Sequence, residues 1–140
     1  MNELLRSLLL PIAFVMALVP MGSAFGQTPA DDAPHAPPVS MVTLLADPPS
    51  KTPVKIQVAG FLALEFEGQA LYLHKEDYQQ GLTRNAIRVA LTPEQEKQYK
   101  EFSGSYVLVE GSFKKIPNSE DIFTGSIFNI RRMVKLLPRR

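Results

Sequence analysis

The chain has 140 residues and contains no cysteine, which excludes disulfides, thiolate nucleophiles and cysteine-ligated metals. Its 15 Lys and Arg residues nearly balance its 14 Asp and Glu residues, and the formal net charge is +1. The protein as a whole therefore has no field that would steer it toward nucleic acid or an anionic membrane. The basic residues are nevertheless unevenly placed, because five of them crowd the C-terminus: Arg131, Arg132, Lys135, Arg139 and Arg140.

Residues 1–26 have the composition of a signal peptide. An apolar run from Leu8 to Val19 is shorter than the roughly 20 residues that a membrane-spanning helix needs, and small residues follow it. We expect cleavage near Gly26–Gln27, with cleavage after Ala24 as the alternative. The mature protein is then periplasmic or secreted and keeps no stable membrane span. A retained N-terminal anchor is the competing interpretation.

Residues 27–38 separate this leader from the predicted domain, residues 39–140. They are rich in Pro, Thr, Ala and Asp and cannot bury enough apolar surface to offset the entropy of ordering, so they predict a flexible linker. His35 lies alone in this linker, and we expect it to be inert. The domain of about a hundred residues is large enough to fold around one hydrophobic core.

A short helix and a long strand open the domain. Ser40 can cap a helix of one or two turns over residues 41–46, although a strand is the rival because Val42 and Leu44 also alternate. Alternation of period two then runs from Val54 to Phe66 and predicts a long strand with a bend at Gly60. Its expected inward residues are Val54, Ile56, Val58, Gly60, Leu62, Leu64 and Phe66.

Two further strands and a helix follow. Glu67–Gly68 predicts a tight turn, and His74–Asn85 predicts a polar loop. Thr92, Pro93 and Gln95 have the spacing of a capping box with proline at the first helical position, which predicts a helix as far as Phe102. The expected inward residues are Leu71 and Leu73 in the second strand, Ile87, Val89 and Leu91 in the third, and Tyr99 and Phe102 on the helix.

Two strands complete the domain. The expected inward residues are Val107, Val109 and Phe113 in the fourth strand, and Phe128, Ile130, Val134 and Leu136 in the fifth. Gly111 marks a second bend, and Arg132 interrupts the last pattern. The fold class is therefore mainly β: a five-stranded OB-like Greek-key barrel with one helix between strands 3 and 4 and a short N-terminal helical segment. A five-stranded sandwich is the alternative.

Five segments between residues 39 and 113 of the predicted domain can be compared with known proteins: VSMVTLL at 39–45, VAGFL at 58–62, FEG at 66–68, ALYLHKEDY at 70–78 and YVLVEGSF at 106–113. Together they resemble a group of small exported bacterial proteins with an OB-like domain. The resemblance implies export and an OB-like barrel. It implies no activity, cofactor or catalytic residue.

The sequence offers little that could carry catalysis. No serine lies in a Gly-x-Ser-x-Gly elbow, and the two histidines are His35 and His74. His74 with Glu76 and Asp77 has the chemistry of a zinc site, and His74 with Tyr78 has a spacing similar to the haem-carrying segment of cytochrome c maturation chaperones, but a solvated loop explains the cluster more simply. We expect no enzyme, no catalytic residue, no metal and no cofactor. An enzyme or a metal- or haem-handling protein that uses His74 is the alternative.

The outer face of the first three strands, with the loop His74–Asn85, predicts a ligand-binding surface. Aromatic and cationic side chains on a rigid barrel beside a long loop have the position at which OB domains bind ligands. The acidic Glu65 and Glu120–Asp121 disfavour nucleic acid there. We expect a non-enzymatic binding or interaction module for an unknown protein or small polymeric ligand, with single-stranded nucleic acid or an oligosaccharide as the alternative ligand. The competing interpretation is that the aromatic residues pack beneath the loop. The candidate residues are Phe61, Tyr72, His74, Tyr78, Arg84 and Arg88.

Overall fold

The structure is a computed structural model that describes residues 34–65, 68–117 and 121–138. The predicted signal peptide, its cleavage point and residues 27–33 of the predicted linker lie outside the described residues, as do Phe66 and Glu67 before the predicted tight turn. Within the described ranges, no helix combines the length and the apolar character needed to cross a lipid bilayer.

Five strands close into a barrel in the order β1-β2-β3-β5-β4. Neighbouring strands are antiparallel except β3 and β5, which run parallel. One helix, α3, lies between β3 and β4 in the chain, so the predicted fold class is confirmed. The strands are β1 Val54–Ala63, β2 Ala70–Tyr72, β3 Ala86–Val89, β4 Ser105–Lys115 and β5 Gly125–Lys135, and the helices are α1 Met41–Ala46, α2 Lys75–Gln79 and α3 Pro93–Tyr99.

Capping side chains fix the ends of α1 and α3. Ser40 Oγ accepts a hydrogen bond from Val42 N at 3.2 Å, which satisfies one of the backbone donors that a helix start leaves without a partner. At α3, Thr92 Oγ1 accepts from Gln95 N at 3.3 Å while Gln95 Oε1 accepts from Thr92 N at 3.2 Å. Both predicted helix starts are therefore confirmed. A 3₁₀ turn at Lys100–Phe102 continues α3, and Phe102 packs against the core.

The barrel interior follows the alternation predicted for the first four strands. In β1, Ile56, Val58 and Leu62 are buried, and Val54 and Leu64 pack against the same cluster from the two ends. Long side chains from all five strands fill the interior, so apolar burial holds the domain together without disulfides. The largest fully buried strand side chains are Phe113, Ile56, Leu62, Leu71, Ile87 and Ile127, and Leu44 of α1 joins them.

The side chains of β5 point differently from the prediction. Between its two regular stretches, three residues of β5, 129–131, lie opposite Gly111 of β4, and Asn129 has a positive φ of 48°. A bulge of this kind changes which side chains face the interior. The prediction that Phe128, Val134 and Leu136 point inward was therefore wrong, whereas that for Ile130 was right. The large buried side chains of β5 are Ile127, Ile130 and Met133.

Residues 34–38, which composition assigned to the linker, are part of the packed domain. Gln57 N donates a hydrogen bond to Pro37 O at 2.9 Å, and Val39 N donates to Gln57 O at 2.8 Å. The segment can pair there because β2 contacts β1 only at residues 61–63, which leaves this side of the β1 backbone open at Gln57. Ala36 is buried as a result. We call residues 34–38 the strap.

The predicted polar loop His74–Asn85 is ordered by one carboxylate. It contains α2 and a 3₁₀ turn at Thr83–Asn85. Asp77 Oδ2 accepts from His74 N at 2.9 Å, and Asp77 Oδ1 accepts from Asn85 Nδ2 at 2.7 Å. The carboxylate thus ties the start of α2 to the end of the segment, in the manner of the acidic residue of a capping box.

Gly60 is the glycine of the barrel wall whose replacement we expect to be most informative. A Cβ at this position would lie 2.6 Å from the Tyr72 carbonyl oxygen and 2.7 Å from Leu71 Cγ, and the backbone oxygen cannot move away. We expect Gly60→Ala to lower the free energy of unfolding by about 1–3 kcal/mol through overpacking.

Gly68→Ala is the matched control, because a Cβ at Gly68 meets no atom within 4 Å and its φ is not positive. We expect that variant to be neutral or to gain up to about 1 kcal/mol from reduced freedom of the unfolded chain. Urea denaturation of both variants measures the difference. Equal stabilities would contradict the close approach of β2 to β1 at Gly60.

Candidate functional site

The aromatic residues of the predicted binding surface pack against one another. Tyr78 of α2 lies over Phe61 of β1 and Tyr72 of β2, with ring centroids 5.6 and 5.5 Å apart. Phe61 is 3% exposed and Tyr72 is 7% exposed. Both rings pack beneath the segment that follows β2, as the competing interpretation of the sequence expects. They do not present their faces to solvent.

The same surface is covered from a second direction by the β4–β5 connection. Phe123 from this connection is 5% exposed and belongs to the same cluster as Phe61 and Tyr72. Three alanines, Ala63, Ala70 and Ala86, leave the room that these rings occupy. We call the outer surface formed by Phe61, Tyr72, Tyr78 and Phe123 the aromatic face. These four rings fill the position at which a base or a sugar ring would stack.

The three polar candidates lie around the aromatic face. His74 is exposed directly before α2, and Arg84 is exposed in the 3₁₀ turn. Arg88 of β3 is bound by its own chain: Nη2 lies 3.0 Å from Asp121 Oδ2, and the guanidinium lies 5.5 Å from the centre of the Phe123 ring. Ligand binding by these residues stays a prediction.

Two of the acidic residues that sequence placed near His74, Asp77 and Glu65, have structural partners. Both oxygens of Asp77 accept the hydrogen bonds that order α2. Tyr78 Oη donates to Glu65 Oε1, and this hydrogen bond raises the pKa of Tyr78 above its ordinary value, since loss of the proton would place two negative charges together. In the part of the chain that the structure describes, no three His, Asp or Glu side chains are arranged to hold a metal ion.

A second site was missed by the sequence analysis and surrounds Glu110. This residue lies at an outward position of β4, yet it is only 4% exposed because the strap crosses over it. Glu110 Oε2 accepts from Gln57 Nε2 at 3.1 Å and lies 3.2 Å from His35 Nδ1. Glu110 Oε1 accepts from Ala36 N at 3.3 Å and lies 3.4 Å from Arg131 Nη1. Four donors from three parts of the chain therefore surround one carboxylate.

These donors decide the ionisation of Glu110. Burial by itself raises the pKa of this carboxyl, because an apolar environment disfavours the charged form. The hydrogen bonds from Gln57, His35 and Ala36, followed by the charge of Arg131, outweigh burial and lower the pKa of Glu110 below its ordinary value. His35, expected to be inert, is thus a partner of a buried charge. Arg132 Nη1 lies 3.5 Å from His35 Nε2, which fits the tautomer with the proton on Nδ1.

A cleft of about 460 Å³ opens beside this carboxylate, and we call it the Glu110 cleft. The strap forms one wall, and β1, β4 and the bulge of β5 form the other. Its volume lies within the range of small-molecule sites, roughly 300–1,000 Å³. The lining residues are Pro34, His35, Ala36, Pro37, Lys55, Glu110, Gly111, Ser112, Asn129 and Arg131.

The bulge shapes the cleft. Gly111 allows β5 to approach closely, since a Cβ there would lie 2.8 Å from the Phe128 carbonyl oxygen. Asn129 adopts its left-handed conformation opposite Gly111, and asparagine enters that region more readily than most residues with a side chain. The result carries Asn129 and Arg131 to the lining of the cleft. Gly111 and the lone acidic residue in an apolar strand were the available sequence signals.

Charge is segregated between the strands and the helices. The five described strands carry seven Lys and Arg residues and one carboxylate, Glu110. Acidic residues lie instead on α2 and α3. Six of the seven cations lie on β1, β4 and β5, and we call the outer face of these strands the basic wall. Its cations are Lys55, Lys114, Arg131 and Arg132. Lys115 and Lys135 lie at strand ends and do not belong to this face, because Lys115 has the same phase as the buried Phe113 and Lys135 is paired with the buried Val107.

No known protein family, curated protein or solved structure matches the chain. The contacts of its own residues are therefore what bears on function. They single out two surfaces: the aromatic face, which is covered by the chain itself, and the Glu110 cleft within the basic wall.

We expect Glu110→Ala to destabilise the domain and to release the strap. The substitution leaves Gln57, His35 and Ala36 N without their acceptor, and breaking a buried charged network of this kind costs about 2–4 kcal/mol. Thermal unfolding measures the loss, and faster hydrogen exchange of the Ala36 amide reports the strap. Glu101→Ala, at an exposed position, is the control and should change stability by less than about 0.5 kcal/mol.

The same carboxylate predicts the acid limb of the stability curve. Because the pKa of Glu110 is lowered in the folded state, its contribution is complete above the ordinary value of 4.5 and is lost as pH falls through the lowered value. The Ala36 amide should therefore lose protection below about pH 4.5 before the barrel unfolds. If the Ala36 amide and the barrel amides lose protection together, the strap is not held by Glu110.

Proposed function

We propose that the chain is an exported, non-enzymatic binding module with an OB-fold, and that it binds an anionic ligand on the basic wall, in and around the Glu110 cleft. The observation that carries the proposal is the charge of β1, β4 and β5, where four cations share the outer face with a single buried carboxylate. The strand order and the position of α3 support the OB assignment, and the composition of residues 1–26 supports export.

Two cations of the basic wall have partners within the chain: Arg131 is paired with Glu110 at 3.4 Å, and Arg132 lies 3.5 Å from His35 Nε2. The charge that the proposal relies on is therefore that of Lys55 and Lys114. Lys55 on β1 and Lys114 on β4 are exposed, and Lys114 Nζ lies 5.6 Å from the centre of the Phe128 ring. Clustered cations beside a cleft raise the local concentration of anions and speed their association. An anionic ligand is therefore favoured at this face.

Binding without catalysis fits the chemistry of the cleft. A general base works best when its pKa lies near the operating pH, and the pKa of Glu110 is lowered further from neutrality. His35, the other group in the cleft able to exchange a proton, contacts Glu110 through Nδ1 and Arg132 through Nε2. Both groups thus serve to hold the strap. Recognition is the role that the remaining lining residues support.

The aromatic face is the less favoured surface for a ligand. Phe61 and Tyr72 would have to be uncovered before they could stack on a ligand, which means displacing Tyr78 and Phe123. Arg88 would have to leave Asp121. We therefore place recognition on the basic wall instead of the face of the first three strands.

Charge reversal tests the proposal. We expect Lys55→Glu/Lys114→Glu to lower the affinity of the full chain for heparin, used as a polyanionic probe, by at least about tenfold at low ionic strength, because two cations beside the cleft become repulsive. Fluorescence titration at several salt concentrations measures affinity, and the melting temperature checks that the variant folds.

Lys97→Glu/Lys100→Glu changes the net charge equally at exposed positions of α3 and its following turn, and should leave heparin affinity nearly unchanged. Equal losses in the two double variants would mean that only net charge matters and would contradict a site on the basic wall. Oligothymidylate provides a third arm. If Arg88→Glu weakens its binding and Lys55→Glu/Lys114→Glu does not, the aromatic face is the binding surface and the proposal is wrong.

A further inference from the structure

The polar groups that line the Glu110 cleft differ in kind from those elsewhere on the basic wall. Lys55 supplies positive charge, and Arg131, one of whose nitrogens contacts Glu110 Oε1 at 3.4 Å, has a planar guanidinium with the geometry that suits a carboxylate. Ser112 and Asn129 are neutral and lie in the same lining. A hydroxyl and an amide each donate and accept hydrogen bonds, whereas Lys and Arg only donate.

This combination of cationic and neutral polar groups suits a sugar acid better than a simple anion. Inorganic phosphate or acetate uses donors alone, so Ser112 and Asn129 would add little that the cations do not already supply. A ligand with several hydroxyl groups offers donors as well as acceptors, and neutral side chains with both capacities match it. Pro34, Ala36 and Pro37 of the strap add an apolar wall for the carbon face of a ring.

The bulge brings Asn129 to the Glu110 cleft. Its φ of 48° lies in the left-handed region, which asparagine enters more readily than most residues with a side chain. This conformation places an exposed amide at the cleft lining, beside Ser112 on the neighbouring strand.

We infer that the Glu110 cleft binds a uronic acid, a pyranose that carries a carboxylate, as a single residue or as part of an acidic polysaccharide. This inference rests on the proposed function and names the ligand class of its site. Lys55 and Arg131 contact the carboxylate, Ser112 and Asn129 contact ring hydroxyls, and the strap packs on the ring. The cleft volume of about 460 Å³ accommodates roughly one or two sugar rings.

The test is an amide-shift titration of the full chain with D-glucuronate, its methyl ester, D-glucose, acetate and inorganic phosphate. Glucuronate should bind with a Kd on the order of 1 mM, as expected for a ligand of this size. It should shift the amides of Ser112, Asn129 and Lys55. The methyl ester, glucose and acetate should each bind at least about tenfold more weakly, because each lacks either the charge or the hydroxyls. Acetate or phosphate binding as tightly as glucuronate would overturn the inference.

Variants separate this inference from the proposed function. Ser112→Ala/Asn129→Gly removes the two neutral groups while glycine keeps the positive φ, so the barrel should fold with an unchanged melting temperature or a higher one. We expect at least about tenfold weaker glucuronate binding and unchanged affinity for dextran sulfate, a polyanion that contains no uronic acid. Gln98→Ala, at an exposed position of α3, is the control. If the unaltered protein binds dextran sulfate but not glucuronate, the uronic acid inference alone is wrong. If it binds neither, the anionic site is wrong as well.

Discussion

A buried carboxylate needs donors, and Glu110 obtains them from three separate parts of the chain. Gln57 comes from β1, Arg131 from the bulge of β5, and His35 with the Ala36 amide from the strap. Removing any one of them would leave the buried carboxylate with fewer donors, which is costly in a protein interior. Together with the backbone hydrogen bonds between the strap and Gln57, the charge of Glu110 holds the strap, the bulge and the barrel wall in one arrangement, and the cleft is the space that this arrangement leaves.

Period-two alternation predicted the barrel well where the strands are regular. The even positions of β1 point inward because one long strand pairs with β4 along almost its whole length, so nothing alters its phase. The phase of β5 could not be predicted, since the bulge at residues 129–131 forms only when Gly111 of β4 lies opposite. Phe128 and Met133 are both apolar, and no local signal indicates which of them faces the core.

The candidate site was harder to predict, for a reason of sequence distance. Glu110 lies 75 residues from His35 and 53 from Gln57, so no spacing in the chain joins them. The aromatic face shows the opposite limitation. The prediction that Phe61 and Tyr72 point outward was right, yet both side chains are buried. Their neighbours on the outer surface of the sheet are small: Ala63, Ala70 and Ala86. Small residues there admit Phe123 from a remote connection, which covers the rings.

The aromatic face and the basic wall have different roles: the first adds to the apolar core, and the second carries the polar side chains. Apolar rings on the outside of β1, β2 and β3 add a second small core, which stabilises a barrel that has no disulfide. With that face used for stability, β1, β4 and β5 are the strands left to carry polar chemistry, and their outward positions include lysine, arginine, serine and asparagine. The acidic residues of α2 and α3 are not among those that line the cleft. Recognition of an anion by this chain would then depend on local charge placement, and it would weaken steeply with salt although the protein is nearly neutral.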